Sequence, residues 1–289
     1  MQEQQYILKN ITSFEPKHIF ECGQCFRWDE QQDGSYTGVV KSNVINVKKV
    51  DNSVIFSGLG ADNLEELVTD YFDLNRDYEK IKDTLSKIDE YLENSIKYGS
   101  GIRILNQDLW ETIISFIISA NNNIPRIKGI INRISQKYGN KIEWKGKDYY
   151  TFPTVESLAN ASVEDLRELG LGFRDVRVYE TTHKILNKEV DLEKLHEEQD
   201  TQNVRDILLT LSGVGAKVAD CILLFSTLKR FDVFPIDVWV RRVMNELYIK
   251  NEDETKVNKK EIEKLAREKY GALEGLAQQY LFYWKRDTA

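Results

Sequence analysis

The 289-residue sequence has only three cysteines and four prolines, and it contains no long hydrophobic run. Four-thiolate ligation of zinc or of an iron–sulfur cluster needs four cysteines, so this composition excludes it. The longest mostly apolar run, residues 113–120, is much shorter than the ~20 residues that cross a membrane. Because no basic segment precedes an apolar one near Met1, no secretory signal is predicted. We therefore expect a cytoplasmic protein without a membrane span and without an iron–sulfur cluster.

The spacing of the cysteines gives only a weak indication of a redox or metal site. Cys22 and Cys25 form a C-x-x-C pattern, but Cys221 is far away in the sequence. A redox or metal role needs a structural context that the pattern alone does not supply. A chance occurrence is the simpler interpretation.

Acidic residues outnumber basic ones, 47 to 40, which gives a net charge of −7 at pH 7. Proteins that bind nucleic acids usually carry a basic surface, so the total charge argues against such a function. The charge is unevenly distributed, however. Residues 51–100 contain twelve acidic and five basic side chains, whereas residues 101–150 contain eight basic and four acidic ones. An acidic region beside a basic one is compatible with DNA binding, although uneven charge is also common on ordinary surfaces.

Two patterns follow each other along the chain. Up to residue 56, β-branched and aromatic runs alternate with turn residues, which predicts an antiparallel sheet with strands at 26–28, 36–40, 44–50 and 54–56. From Leu64 the apolar spacing becomes helical, and we predict helices at 64–72, 78–91, 109–120, 124–138, 155–160, 163–169, 176–187, 191–196, 203–211, 216–225, 237–248, 258–270 and 273–284. The fold class is therefore α+β. Because residues 98–101 are small and flexible, we place a sheet domain at 1–98 and a helical body at 99–289.

Gly213 and Gly215 separate two of the predicted helices. The two helices and their glycine turn form a helix-hairpin-helix at about residues 203–226. Main-chain N–H groups in a glycine turn, together with a helix N-terminus, can bind a phosphate without basic side chains. The hairpin thus predicts contact with a nucleic-acid backbone. An ordinary helical corner is the alternative, because short glycine motifs are common.

Lys217 follows this turn and has small and apolar neighbours in the sequence. Burial disfavours the ammonium form and the positive end of the helix dipole acts in the same direction, so we expect a lowered pKa and a nucleophilic amine. Cys221 shares the helix face of Lys217, although a free cysteine is often only a small buried side chain. Asp237 follows Pro235 and is the predicted N-cap of the next helix, where a free oxygen could also stabilise positive charge at a sugar.

Three further groups indicate contact with bases. Gln278 and Phe282 lie four residues apart on the last predicted helix, and an amide beside an aromatic ring suits a base that has left the stack. Core packing is the alternative for this pair. Asn121 belongs to a run of three asparagines at a helix end, which is either a cap or a contact to bases. Phe173 and Arg174 follow a second glycine turn and offer a wedge beside a cation.

Together these residues resemble the helix-hairpin-helix DNA glycosylase superfamily, in which a lysine and an aspartate at the positions of Lys217 and Asp237 form the catalytic pair. Six segments spread over residues 22–282 resemble more specifically the 8-oxoguanine DNA glycosylase/AP lyase family. They are Cys22-Gly-Gln-Cys-Phe-Arg-Trp28, Gly101-Ile-Arg-Ile-Leu-Asn-Gln-Asp108, Ser119-Ala-Asn-Asn-Asn-Ile-Pro-Arg126, Leu169-Gly-Leu-Gly-Phe-Arg174, Val218-Ala-Asp-Cys221 and Ala277-Gln-Gln-Tyr-Leu-Phe282.

The resemblance implies a fold and a reaction. The fold is a TATA-binding-protein-like antiparallel sheet followed by a mainly helical glycosylase body. In the reaction, Lys217 would attack C1′ of the damaged nucleotide and form a Schiff base, and Asp237 would support this chemistry. The strand would then be cleaved by β-elimination.

The resemblance also implies how the damaged base is recognised. The carbonyl oxygen of Gly23 would accept the N7–H that 8-oxoguanine has and guanine lacks. Gln278 would read the Watson–Crick edge, and the ring would lie between Phe282 and Cys221.

Contacts to the rest of the duplex are implied as well. Asn121 would fill the vacated stack, while Arg126 and Arg174 would address the cytosine left unpaired. Phe173 stands where the animal enzymes carry tyrosine, so the wedge is expected to be kept and the hydroxyl lost. Trp239 stands where they carry histidine, so the phosphate or base contact there is expected to differ in detail, as is the strictness of the preference for cytosine. The residues implied in DNA contact are Asn121, Arg126, Phe173, Arg174, Gly213, Gly215 and Trp239.

The prediction is therefore a bifunctional enzyme that acts on double-stranded DNA containing 8-oxoguanine opposite cytosine. The alternatives are a glycosylase for other damaged purines and a non-catalytic helix-hairpin-helix protein that binds DNA. No cofactor is required for the predicted reaction. The resemblance implies that the carbonyl oxygens of Leu209, Leu211 and Val214 hold a structural Na⁺ or K⁺. We expect a monomer associated with the nucleoid.

Overall fold

The computed structural model describes residues 2–253 and 256–288. Its N-terminal part is a five-stranded antiparallel sheet with strand order β1-β5-β4-β3-β2. The strands are β1 (Glu3–Lys9), β2 (Trp28–Glu30), β3 (Tyr36–Val40), β4 (Asn43–Val50) and β5 (Ser53–Leu59), and helix α1 (Pro16–Glu21) lies between β1 and β2 in the chain. A mainly helical body follows, so the predicted α+β class is confirmed.

Trp28 lies at the centre of the core beneath this sheet. Its ring stacks on Phe20 of α1 with a centroid separation of 4.1 Å, and its indole N–H donates to the hydroxyl of Tyr71 at 3.0 Å. Gly38 of β3 faces the indole closely, because a Cβ there would lie 2.4 Å from Trp28 Cδ2. Only glycine at position 38 therefore lets the tryptophan pack flat against the sheet.

The helical body contains most of the remaining chain. Helix α2 (Leu64–Tyr71) still packs on the sheet. The helices that follow it are α3 (Tyr78–Ser86), α4 (Glu90–Tyr98), α5 (Leu109–Ser119), α6 (Ile124–Tyr138), α7 (Val155–Leu158), α8 (Val163–Glu168), α9 (Asp175–Leu186), α10 (Leu192–Glu197), α11 (Thr201–Leu209), α12 (Ala216–Phe225), α13 (Val238–Met244), α14 (Lys259–Tyr270) and α15 (Glu274–Thr288). A short hairpin of β6 (Lys141–Trp144) and β7 (Lys147–Tyr150) follows α6. Among the described residues, no helix has the length and apolarity needed to cross a membrane.

Helices α5 and α12 form the centre of the body and pack against each other. Almost every side chain of both helices is buried, as expected for helices that are apolar on all sides. Phe116 of α5 stacks on Phe225 of α12 with a centroid separation of 5.6 Å. This stacking fixes the C-terminal end of α12, the helix that carries Lys217, against the core.

Buried glutamines join the sheet region to the helical body. The side chain of Gln24 donates to the carbonyl of Arg103 at 2.8 Å and accepts from the amide of Leu105 at 2.9 Å. Gln107 in turn donates to the carbonyl oxygens of Gln24 and Phe225 at 2.7 and 3.0 Å. Hydrogen bonds of its side chain and of its carbonyl thus fix Gln24, the residue that follows Gly23. The division between residues 98 and 99 stays a prediction.

Several elements differ from the sequence prediction. Strand β1 was not predicted because it is rich in glutamine and pairs only with β5, as an edge strand whose side chains are partly exposed. The β6–β7 hairpin and α1 are too short to show a clear periodicity. The single predicted helix at 78–91 is wrong, because Asp89 caps the amide of Leu92 and starts a second helix.

Candidate active site and nucleic-acid interface

The predicted helix-hairpin-helix is formed by α11 and α12. Gly213, in the turn, has φ +84, and a Cβ there would lie 2.9 Å from Arg177 Cδ. Gly215 is the N-cap of α12, and a Cβ there would meet no atom within 4 Å, so this side of the turn is open. Within the described chain, α12 receives no side-chain cap. Its first N–H groups are therefore available to an external acceptor such as a phosphate.

Lys217 is the second residue of α12 and reaches into a cleft of about 720 Å³. Its amine lies 5.4 Å from the ring centroid of Phe116. Asp237 lines the same cleft, so the structure brings together the two predicted catalytic side chains from helices that are separate in the sequence. Phe116 was not predicted, because one aromatic residue in a uniformly apolar helix carries no signal of its own.

The predicted lowered pKa of Lys217 is wrong. Burial lowers the pKa of the amine, but the interactions with Cys221 and Asp237 raise it by more, and the pKa lies above its ordinary value. Burial also raises the pKa of the Cys221 thiol to about 11, so at neutral pH the ammonium of Lys217 faces a protonated thiol. The amine is therefore protonated at neutral pH and must lose a proton before it can act as a nucleophile.

Asp237 caps helix α13, as predicted. One of its carboxylate oxygens accepts from the amide of Val240 at 2.8 Å. The cap fixes the orientation of the carboxylate at the wall of the cleft. A carboxylate held in this way is preorganised to stabilise positive charge that develops nearby.

A recess of about 50 Å³ adjoins the cleft beside Lys217 and contains the predicted base-binding residues. Its lining includes Gly23, Cys221, Gln278 and Phe282. Gln278 is only 5% exposed, and its Oε1 is buried without a hydrogen-bond partner among the described residues. The helix spacing thus placed Gln278 and Phe282 correctly on one face. An unpaired buried acceptor marks a place where a bound ligand with an N–H would be stabilised.

Gly23 lies at the opening of this recess with φ +88, in the left-handed region that favours glycine. A Cβ there would lie 3.5 Å from the ring of Phe282. The side-chain amide of Gln279 donates to the carbonyl of Cys22 at 2.5 Å, which fixes the peptide next to Gly23. The main chain at Gly23 therefore approaches the recess directly.

The cysteines are free and buried. Burial raises the pKa of Cys22 to about 12 and also raises that of Cys25. Both are therefore thiols at neutral pH and poor nucleophiles. The described residues contain no cluster of three or more His, Cys, Asp or Glu side chains that could hold a metal ion.

Two neighbouring segments carry the predicted contacts to the opposite strand, and Asn121 of the first segment lines the cleft. Asn121 is exposed with φ +51, and the ring of Phe173 is 54% exposed. Arg174, by contrast, is 1% exposed and donates to the carbonyl oxygens of Ala120 and Asn121. Arg126 is exposed and its guanidinium lies 3.4 Å from the carbonyl of Gly170. The structure thus brings Asn121, Arg126 and Phe173 close together, as predicted for DNA contacts. The Arg174 side chain, by contrast, is buried and joins the two segments by hydrogen bonds.

The proposed cation-binding carbonyls lie at the end of α11 and in the turn. The carbonyl of Leu211 accepts from the amide of Val214 at 3.2 Å, and its second lone pair remains able to face a cation. Leu209 is the last residue of α11, where carbonyls have no partner further along the helix. A monovalent cation at these carbonyl oxygens stays a prediction.

Trp239 and several unpredicted residues complete the cleft. Trp239 is half-buried on α13 and lines the cleft together with Arg241 of the same helix. Lys259, at the start of α14, and Arg286, near the end of α15, line it as well. Isolated basic residues on helices give no sequence signal, since only the fold brings them to one place.

Two protein-family profiles together match residues 6–270 of the chain. The profile described as "8-oxoguanine DNA glycosylase, N-terminal domain" matches residues 6–113. The profile described as "HhH-GPD superfamily base excision DNA repair protein" matches residues 114–270.

Individual proteins show the same likeness. The N-glycosylase/DNA lyase of Saccharomyces cerevisiae is 33% identical over 285 residues, which cover 89% of this chain and 72% of the yeast protein. The apo structure of Clostridium acetobutylicum 8-oxoguanine glycosylase/lyase is 44% identical, with 98% of each chain covered and a TM-score of 0.91. The structure of the same Clostridium enzyme with double-stranded DNA containing cytosine opposite 8-oxoG is 42% identical, with 100% and 98% covered and a TM-score of 0.92.

Proposed function

The chain belongs to the 8-oxoguanine DNA glycosylase family, and from this premise we propose that it excises 8-oxoguanine from double-stranded DNA and then cleaves the strand at the abasic site. It is a DNA glycosylase with lyase activity, like the N-glycosylase/DNA lyases to which it is similar. The proposal also assigns each part of this reaction to residues of the cleft.

The unpartnered Oε1 of Gln278 supports the assignment of the recess to a base. This oxygen is buried without a partner among the described residues, and Gln278 lines the same recess as Lys217, Phe282 and Cys221. Leaving a buried acceptor unpaired costs about 1–3 kcal/mol, and the N–H groups on the Watson–Crick edge of a guanine-type base would remove that cost. A base enters such a recess only after it has left the duplex.

Discrimination against normal guanine is assigned to the main chain at Gly23. 8-Oxoguanine carries a hydrogen on N7, which can donate to a carbonyl oxygen, whereas N7 of guanine has a lone pair that a carbonyl repels. Gly23 lines the recess, and its left-handed backbone conformation is one that favours glycine. A carbonyl at this place therefore favours the oxidised base.

The chemical step is assigned to Lys217. After the ammonium loses a proton, the nitrogen lone pair bonds to C1′, and the N-glycosidic bond breaks with its electron pair passing to the base, which takes up a proton. Ring opening gives a Schiff base, and loss of a proton from C2′ expels the 3′ phosphate by β-elimination. The carboxylate of Asp237 stabilises the positive charge that develops at C1′.

The opposite strand is assigned to the loops of Asn121, Arg126 and Phe173, and we propose a preference for cytosine opposite the lesion. The exposure of Asn121 and Phe173 supports the proposal that they enter the stack that the flipped base leaves. The protein is proposed to act as a nucleoid-associated monomer, with a Na⁺ or K⁺ at the hairpin carbonyls. No other cofactor is needed for these steps.

Base release from defined duplexes tests the proposed function. The substrates carry 8-oxoguanine opposite each of the four bases, with matched duplexes that carry guanine, 3-methyladenine or 7-methylguanine. We expect release of 8-oxoguanine, fastest opposite cytosine. Faster release of the alkylated purines would favour a glycosylase for other damaged bases. Tight binding without release of any base would favour a non-catalytic DNA-binding protein.

A further inference from the structure

The exposed ring of Phe173 lies against two guanidinium groups. The Cζ atoms of Arg174 and Arg177 are 4.2 and 5.1 Å from the centroid of this ring. Among residues 2–253 and 256–288, Phe173 belongs to no hydrophobic core cluster. A phenylalanine also has no hydroxyl group that could fix its ring by a hydrogen bond. The contacts with the two guanidinium groups therefore orient this side chain.

The two guanidinium groups differ in their other partners. Arg174 is buried, and its nitrogens donate to main-chain carbonyl oxygens, including that of Asn121. Arg177 is half-buried and, in the part of the chain that the structure describes, its side chain makes neither an ion pair nor a hydrogen bond. Arg174 thus holds the main chain of the two segments, whereas the guanidinium of Arg177 contacts the ring of Phe173.

The aliphatic stem of Arg177 packs on the turn of the helix-hairpin-helix. A Cβ at Gly213, in that turn, would lie 3.1 Å from Arg177 Cβ and 2.9 Å from Arg177 Cδ. The absence of a side chain at Gly213 therefore lets the stem of Arg177 cross the turn. As a result, Arg177 contacts the turn with its stem and the ring of Phe173 with its charged end.

The charges around Arg177 leave it without a carboxylate partner. Burial lowers the pKa of Arg174, and the positive charges of Arg126 and Arg177 lower it further. The carboxylate of Asp175, at the start of α9, is buried and already forms an ion pair with another arginine at 2.8 Å. Among the described residues, the negative face of the Phe173 ring is therefore the attractive partner of the Arg177 guanidinium.

We propose that Arg177 is a positioning residue that couples the helix-hairpin-helix turn to the ring of Phe173 and holds this ring in the orientation in which it enters the duplex. The inference rests on the proposed function, in which Phe173 enters the stack that the flipped base leaves. Because the stem of Arg177 lies on the turn, it fixes the distance between a phosphate bound there and the inserted ring. A ring that is already oriented loses less conformational freedom on insertion, so insertion is faster.

Insertion of the ring can be followed without any reaction at the base. A duplex carries a tetrahydrofuran abasic analogue opposite pyrrolo-deoxycytidine, a cytosine analogue whose fluorescence rises when its stacking is disturbed. The rate of this rise is measured by stopped flow at saturating enzyme for wild type, Arg177→Met, Phe173→Ala and the double variant. Methionine keeps an aliphatic stem over Gly213 but removes the guanidinium. Lys264→Gln is the matched control, because it removes an exposed positive charge of α14 outside the cleft lining.

We expect Arg177→Met to slow the rise in fluorescence about fivefold. Phe173→Ala should slow it more, and the double variant should be no slower than Phe173→Ala, since the guanidinium then has no ring to hold. Arg177→Lys keeps the charge but not the planar group, so it should recover part of the rate. This variant also covers the case that Arg177→Met does not fold. Lys264→Gln should match wild type.

The coupling is contradicted if Arg177→Met slows the rise equally in the wild-type and Phe173→Ala backgrounds, or if Arg177→Met has the wild-type rate. If the slope of log Kd against log salt also falls by about one for Arg177→Met, the residue binds a phosphate instead. The abasic analogue is not cleaved, so the outcome does not depend on which base the enzyme releases. Coupling together with no release of 8-oxoguanine would overturn the proposed function and leave the role of Arg177 in place.

Discussion

The guanidinium of Arg174 donates to the main-chain carbonyl of Asn121 at 2.7 Å and fixes the loop that carries this residue. The same side chain donates to the carbonyl of Ala120 at 2.6 Å and to that of Leu171 at 3.2 Å. It thereby joins the loop of Asn121 to the segment that carries Phe173. Asn121 has a left-handed backbone, a conformation that costs free energy unless surrounding contacts hold it.

We predict that Arg174→Gln lowers the free energy of unfolding by about 2–4 kcal/mol, because it removes several buried hydrogen bonds. It should also reduce the preference for cytosine opposite the lesion, since Asn121 and Phe173 would no longer be held together. Urea unfolding and excision from the four opposite-base duplexes measure the two effects. Arg177→Gln, which changes the other guanidinium beside Phe173, is the control and should destabilise less. An Arg174→Gln protein with wild-type stability would show that the hydrogen bonds do not hold the loops.

The raised pKa of Lys217 predicts the pH dependence of excision. The ammonium is the inactive form, and below its pKa the fraction of free amine rises about tenfold per pH unit. The single-turnover rate of base release at saturating enzyme should therefore increase between pH 7 and 9. A rate that is constant over this range would contradict the requirement for the free amine.

Asp237→Asn tests the partner of that amine. The asparagine can still cap α13, so the fold should be retained. Loss of the carboxylate removes one cause of the raised Lys217 pKa, and the pH profile should shift to lower pH. The maximal rate should fall by about 10²- to 10³-fold, because positive charge at C1′ is no longer stabilised. An unshifted profile would show that Asp237 does not interact with the amine.

Gln278→Leu separates recognition of the base from cleavage of the sugar. We expect about 100-fold slower release of 8-oxoguanine but nearly wild-type cleavage of a preformed abasic site, where no base has to be read. Stability should hardly change, since Gln278 Oε1 has no partner to lose. Gln279→Leu is the contrasting variant, because it removes a hydrogen bond to Cys22 and should destabilise the protein. Equal losses of both activities in Gln278→Leu would contradict a role in reading the base.

Asp220 predicts a pH dependence of stability. Burial raises its pKa to about 7, although Arg205, at 2.6 Å, opposes the shift. Because the folded state holds this proton more tightly than the unfolded state, the stabilising contribution is complete below pH 4 and is lost as the pH rises toward 7. The difference in unfolding free energy between wild type and Asp220→Asn should change by on the order of 2 kcal/mol between pH 5 and 8. Urea unfolding at both pH values checks this, and a constant difference would contradict the raised pKa.

Much of the site was predictable because its signals are local. The four-residue spacings of Lys217 with Cys221 and of Gln278 with Phe282 fix which side chains share a helix face. Both pairs line the recess. The cap at Asp237 was likewise visible in the residues around Pro235.

Other properties depend on contacts between distant segments and could not be predicted. The sign of the pKa shift of Lys217 depends on how close Asp237 and Cys221 come in the folded chain. The burial of Arg174 depends on carbonyl oxygens of a loop more than 50 residues earlier.

The central claim is that Lys217 forms a covalent Schiff base with the sugar of the damaged nucleotide. Sodium borohydride trapping on a duplex with 8-oxoguanine opposite cytosine tests it most directly, because reduction converts the Schiff base into a stable protein–DNA adduct. Wild type should give the adduct, and so should the control Lys264→Gln, which changes an exposed lysine of α14 outside the cleft lining. Lys217→Gln should give none. No adduct with wild type, or as much adduct with Lys217→Gln as with wild type, would contradict the mechanism.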